Sequence, residues 1–274
     1  MWEKLREYLL QLKKEEKSRS TCGQYGQAVE EFLRYAGGRR LSRELALEYK
    51  QTLCARYRPT TVNAKLAAVN SFFRFLGREE LRLKRLRVQK RPFRPREREL
   101  SKAEYLRLLN AAAARRDERL RLLLETVCAT GIRVSELRYI TAQAVRRGEA
   151  VVRLKGKTRV ILICGKLRRA LEDYLRRRGI GSGPVFVTRS GRPLDRSNIW
   201  KMMKALCRRA GVAPGKVFPH NLRHLFARCF YTASKDIAQL ADVLGHSSIN
   251  TTRIYLMTSG REHRRRLDSL GLVT

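Results

Sequence analysis

Four stretches of the chain hold cationic or proton-transferring side chains: ATGIRVSEL with Arg133, RLKGKTR with Lys155, PHNLRH with His220 and Arg223, and LGHSSINTTRIY with His246 and, nine positions later, Tyr255. Attack on a phosphodiester builds negative charge on its non-bridging oxygens, and two guanidiniums with two imidazoles can meet that charge with preorganised hydrogen bonds. Tyrosine and lysine are chemically suited to the remaining roles, nucleophile and proton donor to the leaving oxygen. The inventory therefore describes phosphoryl transfer without a metal. His220 and His224 are spaced i, i+4 and would share one face of a helix, as zinc-binding histidines do. The general-base Glu of that zinc motif is missing, and Arg223 beside two imidazoles opposes a dication. No metal and no cofactor are expected. Each residue also has an ordinary reading: LGHSSINTTRIY is a loop of turn formers (Gly245, Ser247, Ser248, Asn250) leading into an element that buries Ile254 and Tyr255. Joint occurrence in order and spacing is what favours the chemistry.

TGIRVSEL, HNLRH and LGHSSINTTRIY resemble, in order and spacing, the three signature boxes of the tyrosine site-specific recombinases, the family of phage integrases and Xer-type chromosome-dimer resolvases. The resemblance is strong over residues 100 to 260 and architectural only before them. It implies that Arg133 and Arg223 clamp a scissile phosphate, that His220 and His246 hydrogen-bond it and assist proton transfer, and that Tyr255 attacks. Lys155, at a hairpin tip, would protonate the departing 5′-oxygen, although Lys157 is two residues away and open to the same role. A phenol titrates near 10, so a tyrosine attacks well at neutral pH only where a base or cations ease removal of its proton. The arginine and histidine cluster would supply that. The product would be a 3′-phosphotyrosyl link, which stores the energy of the broken bond and permits rejoining, through a Holliday junction, without ATP. Glu136 has no obvious chemistry and is expected to orient neighbouring donors.

The charge points to the same partner. With 61 basic and 25 acidic side chains the formal charge is +36, far beyond what solubility requires, and a polyanion is needed to relieve the repulsion. The basic residues run through the whole chain, with no long lipid-facing helix among them, which favours nucleic acid over a membrane surface. The charged start and short apolar runs argue against a leader or a membrane span and place the expected protein in the cytoplasm, on DNA. Six scattered cysteines form no C-x-x-C pair and read as reduced core residues.

Periodicity supplies the elements. Apolar stripes at Trp2, Leu5, Leu9 and Leu12, at Tyr25, Val29, Phe32 and Leu33, at Leu45, Tyr49 and Leu53, and from Val62 to Leu76 predict four helices. The expected caps are Ser20 or Thr21, Ser42, and Thr60 or Thr61, with stops at Gly37 and Gly77. The expected fold is mainly α: an N-terminal four-helix DNA-binding bundle over 1–85, SAM-like by resemblance, a basic linker over 86–99, and an α-helical catalytic domain with a small antiparallel sheet over 100–274. Arg58, Thr60, Thr61, Asn63, Lys65, Asn70 and Arg74 would project from the fourth helix toward phosphates and base edges. Arg91 and Arg94 of the linker, together with Lys157, join them as expected DNA contacts. Ser101 and Glu104 form a capping box that opens the second domain. EAVVRL and VILIC around KGKT predict a hairpin, and helices are expected over 120–128, 166–178 and 195–210.

By resemblance the two domains close around a double-stranded recombination site as a C-shaped clamp, two protomers to a site and four in the synapse. The tail, with Leu267, Leu270, Leu272 and Val273, is expected to dock on a neighbouring protomer, and an accessory protein is a further possible partner. A type IB topoisomerase and an inactive basic DNA-binding protein are the competing readings, and neither the DNA target nor a host or mobile-element origin is legible.

Overall fold

Capping decides where the first helices begin. In the computed structural model, which describes residues 1–88, 99–154, 157–256 and 268–269 (only the backbone at 154 and 157), the Ser18 hydroxyl accepts the Thr21 N–H at 3.2 Å. The second helix therefore starts earlier than Ser20 or Thr21 would have it. Two compact units divide the chain, Met1–Lys90 and Arg91–Thr274.

The first unit holds α1 (Trp2–Lys14), α2 (Arg19–Ala36), α3 (Arg43–Arg56) and α4 (Pro59–Phe75), followed by a 3₁₀ turn over Glu79–Leu81. Gly37 closes α2 in the left-handed conformation and Ser42 caps α3, as the sequence predicts. The last helix starts at Pro59, whose ring presets the first helical φ, so that Thr60 and Thr61 lie inside it instead of capping it. It ends at Phe75, with Leu76 as its C-cap in place of Gly77. The core is aromatic, Tyr8, Phe32, Tyr49, Phe72 and Phe73 with Val62 and Leu66, and Phe32 meets Phe73 edge to face at 5.4 Å.

Beyond α4 the chain doubles back along the helix. The Asn70 amide accepts the Leu83 N–H and donates to the Leu83 carbonyl, both at 2.8 Å. Asn63 does the same with Leu86, at 2.8 and 2.9 Å. Seven helical residues rise about 10.5 Å and three extended residues span about 10 Å, so the two amides match an antiparallel strap. Leu83 is buried on the helix, while Arg82, Lys84, Arg85 and Arg87 are exposed.

The second unit opens with α5 (Lys102–Ala114), started by the Ser101–Glu104 capping box, and α6 (Glu118–Thr130). A 3₁₀ helix (Val134–Tyr139) and α7 (Ala142–Arg147) lead into the antiparallel pair β1 (Glu149–Leu154) and β2 (Lys157–Leu162), in register Val152 to Arg159. Then come α8 (Gly165–Arg178), α9 (Arg196–Ala210), α10 (Pro219–Ser234), α11 (Ile237–Leu244) and α12 (Ile249–Arg253). One large core joins α5 to α10, and a smaller cluster of Ala227, Leu240, Leu244 and Tyr255 lies under α11 and α12. Among the described residues the fold is helical with this one two-stranded sheet, and no helix is long and apolar enough to cross a membrane. Lys155, Arg91, Arg94 and the apolar tail positions lie outside the described residues, as does the Lys157 side chain.

Candidate active site

Arg223 is the hub. It rises from the first turns of α10 into the interior, 1% exposed, and four of its N–H groups are engaged. They reach the Gly131 carbonyl, the Leu244 carbonyl at 2.8 Å, His246 Nε2 at 2.9 Å and the Tyr255 hydroxyl at 3.4 Å. One side chain thus touches all three sequence boxes. Such a cation is tolerable inside only because its donors are satisfied. Burial, then Arg133, pulls its pKa down to about 10, which still leaves it charged at neutral pH.

Two of the acceptors of Arg223 are backbone carbonyls at left-handed turns. Gly131 ends α6 at φ +60°, and a Cβ there would lie 2.4 Å from Phe226 Cδ1. Gly245 ends α11 at φ +63° and turns the chain so that His246 faces inward. Both positions demand glycine, for space as well as φ.

A guanidinium only donates, so His246 Nε2 accepts and its proton sits on Nδ1, which donates to Thr252 Oγ1 at 2.9 Å. Burial, followed by Arg223, Arg133 and Arg159, drives the His246 pKa down to about 4. The ring is therefore neutral, and in this arrangement Nε2 has no proton to give a phosphate. Ser248 caps α12, Thr252 is fully buried beneath it, and the Tyr255 N–H bonds the Thr252 carbonyl at 2.9 Å. The nine-residue interval is thereby a turn, a cap and a short helix. Tyr255 is buried, only 7% exposed, its ring 4.2 Å from that of His224 and 5.4 Å from that of His246. Ile254, expected inside, is 54% exposed, because the short helix turns it away from the small cluster.

The Tyr255 hydroxyl accepts from Arg223 Nε and lies 3.4 Å from Nε2 of His220, an exposed residue in the first turn of α10. Arg133 lies beyond, half-exposed, its guanidinium on Glu136 Oε1 at 2.9 Å and its own N–H on Oε2 at 2.9 Å. Burial raises the Glu136 pKa, but the Arg133 N–H, the Arg159 charge and both guanidinium bonds outweigh it and hold the carboxyl below its usual range. The expectation that Glu136 orients donors matches this geometry, though it sits in a 3₁₀ turn. A concave surface beside Arg133, His220 and Arg223 is lined on its far side by Arg196, Trp200 and Lys204 of α9. Sequence reading missed these three. Their i, i+4, i+8 spacing, with a tryptophan left half-exposed, was the available signal.

Arg133, His220, Arg223, His246 and Tyr255 thus converge. In the other unit Arg58, Thr60, Thr61 and Arg74 are exposed. Asn63 and Asn70 are occupied by the strap, and Lys65 bonds Glu31 and lies over the Tyr57 ring.

A helical unit with one hairpin, three boxes on one buried arginine and a tyrosine against it define the class. The phage integrase family model matches residues 98–261, and the N-terminal SAM-like domain model of phage integrases matches 5–80. The chain belongs to the phage integrase family of tyrosine recombinases. It is 33% identical over 264 residues to the tyrosine recombinase XerD of Halalkalibacterium halodurans, covering 87% of each chain. It is 30% identical over 280 residues to the tyrosine recombinase XerA of Pyrococcus furiosus, covering 99% of this chain and 95% of that one. A crystal structure of a XerA recombinase aligns with 99% of both chains at a TM-score of 0.55 and 28% identity. In fold alone, a lambda integrase dimer bound to a COC′ core site is similar at a TM-score of 0.74 and 16% identity, over 93% of this chain and 76% of that one.

Proposed function

We propose that the chain performs site-specific DNA recombination by cutting and rejoining strands through a covalent link between Tyr255 and a 3′-phosphate. The observation that carries this reading is the Tyr255 hydroxyl, 3.4 Å from both Arg223 Nε and His220 Nε2. Arg223 donates to the phenol oxygen and stabilises charge on it, while His220 Nε2 is within reach of its proton. Such contacts shorten when substrate closes the site. The Tyr255 oxygen attacks phosphorus, the bond to the 5′-oxygen breaks, and the phenol proton passes to His220. Arg133 and Arg223 hold the non-bridging oxygens of the transition state. Lys155 or Lys157 supplies the proton that the departing 5′-oxygen takes up. His246 serves first by aligning Arg223, and its ring takes the other tautomer to donate to the phosphate itself.

The partner is a duplex recombination site. A XerH recombinase was solved on its difH substrate before cleavage, and its fold resembles this one at a TM-score of 0.69. Residues 1–85 would grip the duplex through Arg58, Thr60, Thr61 and Arg74, the linker over 86–99 would follow it through Arg91 and Arg94, and residues 100–274 would do the chemistry. Two protomers would bind each site and four would exchange strands through a Holliday junction.

The test is trapping on a nicked suicide duplex without divalent metal, with the unsubstituted chain beside Tyr255→Phe. A covalent adduct seen only with Tyr255 supports the reading. Binding without an adduct across candidate sites would overturn it in favour of a DNA-binding accessory protein, and supercoil relaxation without exchange in favour of topoisomerase action.

A further inference from the structure

The proposed chemistry gives no part to Arg159, a charged side chain largely buried beside the site. Arg159 projects from β2 as its third residue, on the same face as Ile161, which is 3% exposed. Its own side chain is 12% exposed. A cation on the buried face of a strand is costly unless something there needs its charge.

Its contacts say what that is. One terminal nitrogen lies 2.5 Å from Glu136 Oε2, and the other donates to the Val243 carbonyl at 3.2 Å in the last turn of α11. Its Cδ lies so close to Gly245 that a Cβ added there would be 2.4 Å away. The same side chain therefore touches the carboxylate that holds Arg133 and the turn that aims His246. Glu136 is 3% exposed and has Arg133 on one oxygen and Arg159 on the other. With Arg133 alone, that carboxylate would form a neutral pair and spend the charge Arg133 offers a phosphate. With Arg159 present, the trio keeps one positive charge in excess.

We infer that Arg159 is a positioning residue of this site, which fixes Glu136 and the Val243–Gly245 turn from the hairpin and leaves Arg133 net cationic toward the scissile phosphate. This rests on the proposed reading, in which Arg133 engages that phosphate.

The experiment compares single-turnover cleavage by the unsubstituted chain, Arg159→Ala and Arg159→Lys on two suicide duplexes. One carries the normal scissile phosphodiester and the other an uncharged methylphosphonate there, and released 5′-strand is read in each case. Arg159→Ala should bind DNA normally and cleave the phosphodiester about 10²-fold more slowly, the scale of loss from misplaced machinery. On the methylphosphonate the deficit should shrink, because less charge then needs Arg133. Arg159→Lys, which keeps the charge without the fork, should recover part of the rate. Adding Arg159→Ala to Glu136→Gln should cost little more than Glu136→Gln alone. An undiminished rate in Arg159→Ala, or an equal loss on both duplexes with an unchanged melting temperature, overturns the inference. Failure of the unsubstituted chain to cleave either duplex would instead sink the functional reading itself.

Discussion

His246 is a histidine kept from its proton. Arg223 and His220 from α10, Arg133, and Arg159 from β2 all disfavour the imidazolium, on top of burial, and the pKa falls to about 4. The sign follows from linkage. In the unfolded chain the ring titrates near 6.5, so between that value and about 4 the unfolded state binds more protons than the folded one. The stability His246 provides is present in full above 6.5 and is lost as pH falls through 4. Thermal melting of the chain and of His246→Gln should therefore show a gap that narrows on acidification across this window and stays constant between pH 7 and 8. Gln keeps an acceptor for Arg223 but does not titrate. A gap independent of pH from 7 to 4 would mean that the ring is not held neutral.

The elements show what each kind of sequence signal reaches. Helix stripes, the Ser101–Glu104 box and the hairpin were legible because each depends on residues within one or two turns of one another. Box order was legible for the same reason: it records a path along the chain. Arg159 was not, since its partners lie 23 and 84 residues away, and only its place on the inward face of β2 hinted at them. Asn63 and Asn70 are the clearest difference. Polar side chains at helical spacing read as a surface for DNA, yet each amide is consumed by the backbone of the strap, a long-range pairing that local pattern does not encode. Asn63→Ala and Asn70→Ala should each destabilise the N-terminal unit by roughly 1–3 kcal/mol in urea, the cost of leaving buried backbone groups unpaired. They should also speed tryptic cutting at Arg82, Lys84, Arg85 and Arg87, which the strap otherwise holds in place. Weaker DNA binding with unchanged stability and proteolysis would restore them as DNA readers.

At the scale of the whole molecule, charge dominates. The unit Met1–Lys90 carries 21 basic and 10 acidic side chains, and Arg91–Thr274 carries 40 and 15, so both units hold a positive excess. Neither depends on the other for attraction to a polyanion. Each phosphate neutralised releases condensed counterions, and log K falls with log salt at a slope of about −0.9 per contact on duplex DNA. The full chain should therefore bind duplex with a steep slope, and Tyr255→Phe with the same slope, because the substitution changes no charge. Arg58→Ala and Arg74→Ala should each flatten the slope by about one contact if those exposed cations meet phosphates. Thr60→Ala and Thr61→Ala should shift affinity, or its dependence on base sequence, while leaving the slope alone. Fluorescence anisotropy over a salt series, repeated on duplexes of different sequence for the threonine variants, measures all five. Arginine variants that keep the slope of the unsubstituted chain would move the DNA contacts off the two ends of α4, and the exposed cations of the strap would be the next to substitute.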